Sequence, residues 1–288
     1  MRLRAAFLSL AAGIACGHLT DPPLPLDAER FAAPPVYTKW WAMLESCSGL
    51  KGSLDQVQWF ATTGPLQNPE NGNEYLAGYW SRASNRIVLL SNDTIDGRTV
   101  RHEMLHALVR TGGHPRSMFL ENCGGLVDCG LDCIQEAGPP PAVVAGTPIV
   151  TPAQVEVTVA VSPLSPSASA DNGLATFTIS VRNPFPYAIV VALPRRGLDI
   201  NPASYRAAFQ KPDGTAITKA DFALDNGVTQ FAAGETKRDV IDFAVTPNAG
   251  QIIHGLGTFG IALPPGSYSF RGAYGGRFGP DVGVVLTQ

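Results

Sequence analysis

Three of the chain's five histidines fall within thirteen residues, in the stretch TVRHEMLHALVRTGGHPRSMF from Thr99 to Phe119. His102 and His106 frame Glu103 in the spacing H-E-x-x-H. On an α-helix, residues four apart stand over one another, so two imidazoles can reach one tetrahedral metal ion. Zinc, Zn2+, lowers the pKa of a bound water toward ~7. A carboxylate beside the metal can then accept the water's proton and pass it to a leaving amine. Glu103 follows His102 directly and turns toward the same side, which suits it to the part of general base. The competing reading is an exposed helix that carries two histidines and a charge, since five-residue motifs arise by chance.

The elements around this motif follow from periodicity. Asp96 is the expected N-cap of the histidine helix and Gly112-Gly113 its expected end. Val100, Met104, Ala107, Leu108 and Thr111 trace the face that packs inward. Upstream, VYTKWWAMLESCSGL from Val36 has Trp40, Met43, Leu44 and Cys47 at helical spacing. Val57, Trp59 and Ala61 alternate, and Ile87 to Leu90 is a short apolar run, so two strands are expected with NPENGN as a loop between them. The strand NRIVLLSN, just before the histidine helix, is expected to be an edge able to hold an extended peptide by β-pairing.

A hydrolytic zinc keeps three protein ligands and one open position. Metzincins place a glycine three residues past the second histidine and a third histidine three later; Val109 and Gly112 stand there instead. His114 lies eight residues past His106, after a double-glycine turn, and Pro115 suits the first position of a new short helix with His114 as its cap. HEMLHAL followed by GHPRSMF resembles the SprT-like and related minimal zincin metallopeptidases, in which H-E-x-x-H-A-L is followed, after a variable loop, by G-H-G-x-x-F. That resemblance implies zinc ligands at His102, His106 and His114 and a general base at Glu103. It covers Gly78 to Phe119. It departs from the pattern in its short loop and in Phe119, five rather than four residues after His114. Glu121 is the alternative third ligand, as gluzincins take a glutamate from a following helix, and Glu136 is a further acid within reach. Tyr75, Tyr79, Arg110 and Arg116 are near enough in sequence to donate to an oxyanion, and none is singled out. His18 and His254 lie far from the motif and are expected to be inert or structural.

The ends and the composition restrict the setting. Net charge is −3 with no Lys/Arg block, which argues against nucleic acid as a partner. Arg2 and Arg4 precede the apolar run Ala5 to Ala15, which is too short to span a bilayer and reads as an export signal. AAGIAC resembles a bacterial lipobox, with Cys16 as the lipidated residue; secretion with cleavage after Ala15 is the alternative. Of five cysteines, lipidation of Cys16 leaves Cys47, Cys123, Cys129 and Cys133, an even set for two disulfides. Cys47–Cys123 and a local Cys129–Cys133 bridge are the expected pairs, against a metal site built from the same cysteines.

Beyond Glu136 the period changes. Val155 to Val161, Phe177 to Val181, Ile241 to Val245, and Tyr268 and Phe270 alternate, and KPDG at 211–214 reads as a turn. About seven short strands are expected. This half resembles the immunoglobulin-like domains appended to exported bacterial enzymes. The expected architecture is thus an α+β zincin-like domain followed by an all-β immunoglobulin-like sandwich. Its divisions are a signal at 1–16, a Pro-rich tether at 17–35, the metallopeptidase domain at 36–136, a Pro-rich linker at 137–154 and the sandwich at 155–288. The expected function is an exported zinc metallopeptidase acting on peptide or protein substrates, with membrane contact only through the lipid anchor. The alternative is a non-catalytic surface lipoprotein whose sandwich binds an envelope or extracellular partner.

Overall fold

Pro34 and Pro35 open the first helix, α1 (Pro35–Ser48), because a proline in the first turn gives up no hydrogen bond. Its period puts Tyr37, Trp40 and Leu44 wholly inside. The computed structural model describes residues 21–287 apart from 69–74, 130, 139–141, 163–173, 193–202, 211–215, 224–227, 247–248, 255–256, 260–264 and 276. The expected export signal, Cys16, His18 and the 211–214 turn lie outside the described residues. The architecture is mixed α/β, with several small sheets and few helices.

Strands β1 (Glu29–Arg30), β2 (Gln58–Thr62), β3 (Gly78–Ser81) and β4 (Arg86–Leu90) form one sheet in the order β1-β2-β4-β3. β4 runs parallel to β2 and antiparallel to β3. The strand expected at the edge is therefore interior. It carries Ile87, Val88 and Leu89 fully buried on alternating faces, which is what a strand covered on both sides needs. The edge next to the histidine helix is β3.

Trp59, Trp80, Ile87 and Leu89 pack toward α1 and the histidine helix α2 (Gly97–Val109) in one core. Tyr79 and Val88 face the other way with Leu66, under Leu24 and Leu76. Part of that cover is the Pro-rich segment expected to be a tether. From Asp21 it is packed on the sheet instead. Asp27 accepts from the Thr62 and Thr63 hydroxyls and from the Thr63 and Gly64 amides at 2.6–2.9 Å. Asp21 pairs with Arg86 at 3.5 Å. These bonds hold extended, proline-rich backbone that has no internal ones of its own.

Asp96 caps α2 as expected, accepting from the Arg98 and Thr99 amides at 3.0 and 3.4 Å. The helix ends earlier than expected, at Arg110, whose φ of 63° is left-handed, and Thr111 leaves the helical face. A π-type turn (Ser117–Asn122) follows Pro115, and the cysteine-rich segment contains a short helix not expected from sequence, α3 (Leu131–Glu136). Both expected disulfides are present. Cys47–Cys123 ties α1 to the π-type turn and Cys129–Cys133 closes a local loop, each with Cα atoms 5.3 Å apart. Such bonds persist in an oxidising compartment. Among the described residues no helix is long and apolar enough to cross a membrane.

The described residues of the C-terminal half lie mostly in strands of three sheets. One sheet has the order β14 (Gly257–Phe259), β13 (Ala249–His254), β12 (Thr236–Thr246), β7 (Leu174–Arg182), β6 (Glu156–Ser162). A second has β10 (Ala216–Ala223), β9 (Ala203–Gln210), β15 (Gly266–Tyr274), β16 (Arg277–Phe278), with β17 (Val282–Leu286) also on β15. A third joins β11 (Val228–Phe231), β8 (Ile189–Ala192) and β5 (Ile149–Val150). The described strands outnumber the seven expected, and β5 begins inside the expected linker. Phe177, Ile179, Val191, Phe231, Phe270 and Val284 from all three sheets share one core.

The two halves are joined through buried charge. Arg101, one residue before His102, has no exposed surface. Its guanidinium donates to both oxygens of Asp242 on β12, at 3.1 and 2.8 Å, and to the Leu126 carbonyl at 2.5 Å. Arg98 donates to Asp239 at 2.8 Å and to the Val127 carbonyl at 2.7 Å. The Val240 amide donates to the Gly125 carbonyl at 2.7 Å. Gly125 is required there, because a Cβ would sit 1.5 Å from the Arg238 carbonyl oxygen. The histidine helix thus rests on β12, and the C-terminal half completes its polar anchoring.

Removing one member of a fully buried pair leaves an uncompensated charge and costs about 3–5 kcal/mol, whereas replacing both by apolar groups is often near neutral. Asp242→Ala is therefore expected to lower the free energy of urea unfolding by ~3–5 kcal/mol, and Arg101→Met with Asp242→Leu by much less. Equal losses in the single and double variants would show that the buried charge does not act this way.

Candidate metal centre

His102 and His106 lie one turn apart on α2 with their Nε2 atoms 3.0 Å from each other. The left-handed residue Arg110 turns the chain back, and His114 brings its Nε2 to 3.1 Å from that of His102. The ligand atoms of these three histidines all lie within 4.8 Å of one another. Glu121, the alternative ligand, is not among them; it is 3.3 Å from the Arg116 guanidinium in a partly exposed ion pair.

Each ring has an oxygen on its other nitrogen. Nδ1 of His106 faces the Thr111 carbonyl at 2.8 Å, Nδ1 of His102 the Asp128 carbonyl, and Nδ1 of His114 the Glu136 carboxylate at 2.5 Å. A carbonyl has no proton to give, so Nδ1 of His102 and of His106 must donate, the Glu136 carboxylate takes the same bond from His114, and a neutral ring so tied carries its lone pair on Nε2. Lone pairs on nitrogens 3.0 and 3.1 Å apart, as between His102 and each of its two partners, repel unless a cation lies between them. In a tetrahedral site with metal–nitrogen bonds of about 2.0–2.1 Å, ligand nitrogens stand about 3.3 Å apart, close to the spacing found. The residues present therefore fit a divalent cation. Burial holds His102 down at about 4. His106 is lowered too, first by burial and then by the other two histidines. Both shifts favour the neutral imidazole that a metal needs.

Phe119 floors the cluster. It is fully buried with its ring centroid 4.7–5.1 Å from all three imidazoles, although it stands one residue later than the resemblance leads one to expect. Glu103 is buried beside His102 under the edge strand β3. The Trp80 amide donates to its carboxylate, and burial raises its pKa to about 8. Gly78 leaves room for it, since a Cβ there would lie 3.1 Å from the Glu103 Cγ.

Other residues considered from sequence fall elsewhere. Tyr79 is packed on the opposite face of the sheet, Tyr75 is exposed, and Arg110 donates to Asn85 Oδ1 at 2.9 Å. Arg116 donates to the Gly138 carbonyl at 2.7 Å. His254 is on β13, in the C-terminal half. Glu136, considered as a ligand, contacts His114 instead. The carbonyls of Thr111 and Asp128 have no signal in sequence, because every residue has one.

No family model matches the chain, and no curated protein matches it. Among solved structures, similarity is found to an alkylpurine DNA glycosylase of Pseudomonas fluorescens bound to DNA containing an abasic-site analogue, at 12% identity and TM-score 0.30, over 47% of this chain and 31% of that one. A β-glucosidase of Erythrobacter marinus matches at 8% identity and TM-score 0.28, over 46% of this chain and 15% of that one. A β-D-glucoside glucohydrolase of Trichoderma reesei matches at 10% identity and TM-score 0.26, over 46% and 19%. The chain spans less than a third of the length of each.

Two outcomes follow from the geometry. Purified protein is expected to hold one divalent ion per chain by elemental analysis, lost in His102→Ala, His106→Ala and His114→Ala and kept in Glu121→Ala. The metal-free protein gains stability from protonated Glu103, because its folded pKa of about 8 stands above the ordinary 4.5. That contribution is full below pH 4.5 and lost as pH rises through about 8. The stability of wild type minus that of Glu103→Gln, measured by urea unfolding without metal, should therefore fall across this window; a flat difference would contradict it.

Proposed function

We propose that the chain is an exported zinc metallopeptidase of the zincin class, resembling the SprT-like and minimal zincin domains, with an immunoglobulin-like sandwich fused behind its metal helix. The observation that carries this reading is the convergence of three Nε2 lone pairs beside a buried glutamate, under the edge of a sheet. Three imidazoles with hard oxygen acceptors behind them suit zinc, and the buried glutamate suits hydrolysis rather than a closed structural site. Export is supported by the two disulfides, and attachment through a lipidated Cys16 is part of the proposal.

When bound, zinc supplies Lewis acidity that makes a water acidic at neutral pH and polarises a carbonyl. His102, His106 and His114 hold it, and Phe119 keeps their rings together. Glu103 takes the proton of the attacking water at its carboxylate and releases it to the leaving amine. Loss of that proton transfer costs about 10²–10⁴ in rate. β3 pairs on one side only among the described strands, and its buried residues lie over Glu103, whose carboxylate the Trp80 amide holds.

The test is hydrolysis of fluorescently labelled casein by the zinc-loaded chain. Glu103→Gln is expected to lose at least ~100-fold in rate while retaining its metal. Zinc-loaded wild type that cleaves no peptide, or Glu103→Gln that cleaves equally well, would instead favour a surface protein with a structural metal.

A further inference from the structure

We propose that the segment Asp128–Glu136, closed by the Cys129–Cys133 disulfide, is a clamp that positions two of the three histidines and makes metal affinity depend on the redox state of that bridge. This rests on the metal reading of the site, and not on its peptidase activity. The segment provides both distal acceptors. At its start the Asp128 carbonyl accepts from His102 Nδ1, and at its end the Glu136 carboxylate accepts from His114 Nδ1 at 2.5 Å. The same carboxylate accepts from the His114 amide at 3.3 Å, so it fixes backbone as well as ring. The disulfide lies between these two points.

The two ends are unequally secured. Asp128 is fastened to the histidine helix, since its amide donates to the Arg98 carbonyl at 3.3 Å and Arg98 in turn donates to the Val127 carbonyl. Glu136 is the last residue of α3, which has only six residues. A helix that short does not hold itself together in water. Its outer end is tied by the Arg116 bond to the Gly138 carbonyl. Its inner end is tied by Cys133, which is buried in the main core and covalently joined to Cys129. Without that bond the described ties left on α3 are the packing of Cys133 and the Arg116 bond to Gly138, and Glu136, itself half exposed, is held at His114 less firmly. Acceptors behind metal-binding histidines set ring orientation and basicity, and their loss costs about 10–100-fold in affinity.

Opening the bridge requires a dithiol reductant. The S–S bond breaks, Cys129 and Cys133 gain two electrons and two protons as free thiols, and the dithiol closes to its own disulfide. Cys129→Ser with Cys133→Ser stands for the opened form.

The experiment measures zinc affinity by competition with a chromophoric chelator, and the visible spectrum of the cobalt(II)-substituted protein, in the full chain. Wild type, Cys129→Ser/Cys133→Ser, Glu136→Ala and Glu136→Gln are compared. The double serine variant and Glu136→Ala are each expected to bind zinc about 10–100-fold more weakly, with a changed cobalt spectrum. Glu136→Gln, which keeps an acceptor oxygen, recovers part of the loss. Should the double serine variant not fold, the Glu136 pair carries the test. Zinc affinities within twofold of wild type and unchanged cobalt spectra would overturn the clamp. Zinc-binding wild type that hydrolyses nothing removes the peptidase reading and leaves this one standing; wild type that binds no zinc removes both.

Discussion

Three imidazole nitrogens with their lone pairs aimed at one point form an arrangement that a protein must be built to hold. Left alone, His102, His106 and His114 would rotate so that one ring donated to another. They are prevented because each Nδ1–H is already given to an oxygen. The surrounding structure can be read as the delivery of those oxygens. The left-handed Arg110 delivers the Thr111 carbonyl, the loop bound by Arg98 and Arg101 delivers that of Asp128, and α3 delivers Glu136. A cation between the rings would turn the repulsion into coordination, so that metal binding and local order would stabilise each other.

The second constraint is where the histidine helix stands. Its site face needs solvent access, so its remaining faces must be fixed firmly. Trp80, Ile87 and Leu89 of the sheet and Trp40 and Leu44 of α1 bury its apolar side. The remaining side carries Arg98 and Arg101, whose partners Asp239 and Asp242 come from the C-terminal half. Buried ion pairs add little net stability over apolar packing, but a misdocked helix would leave two charges stranded. They therefore act as a check on register. The β-rich half is in this sense part of the site's foundation, whatever else its surface binds.

Much of the site was legible because its signal is local. His102, Glu103 and His106 share one helical period, His114 follows a glycine turn, and the structure brings the three histidines to one point. The Asp96 cap and helix α1 were legible for the same reason, and the even set of four cysteines pointed to two disulfides, but the Cys47–Cys123 pairing, across 76 residues, is a product of the fold. What sequence did not reveal is non-local or chemically anonymous. The Arg101–Asp242 pair joins residues 141 apart. The acceptors behind His102 and His106 are main-chain carbonyls. An arginine, rather than Gly112, takes the left-handed position that ends the helix, against its own preference. The interior place of β4 depends on β2 and β3 pairing on its two sides, and the proline-rich segment, which reads as a tether from its composition, covers the outer face of the sheet.

The most direct measurement is anomalous diffraction at the zinc absorption edge from crystals of the purified, zinc-loaded full chain. A single peak is expected, bonded to Nε2 of His102, His106 and His114 at about 2.0–2.1 Å, with every Nδ1 still facing its oxygen. No peak at this position, or rings turned so that Nδ1 rather than Nε2 points inward, would contradict it.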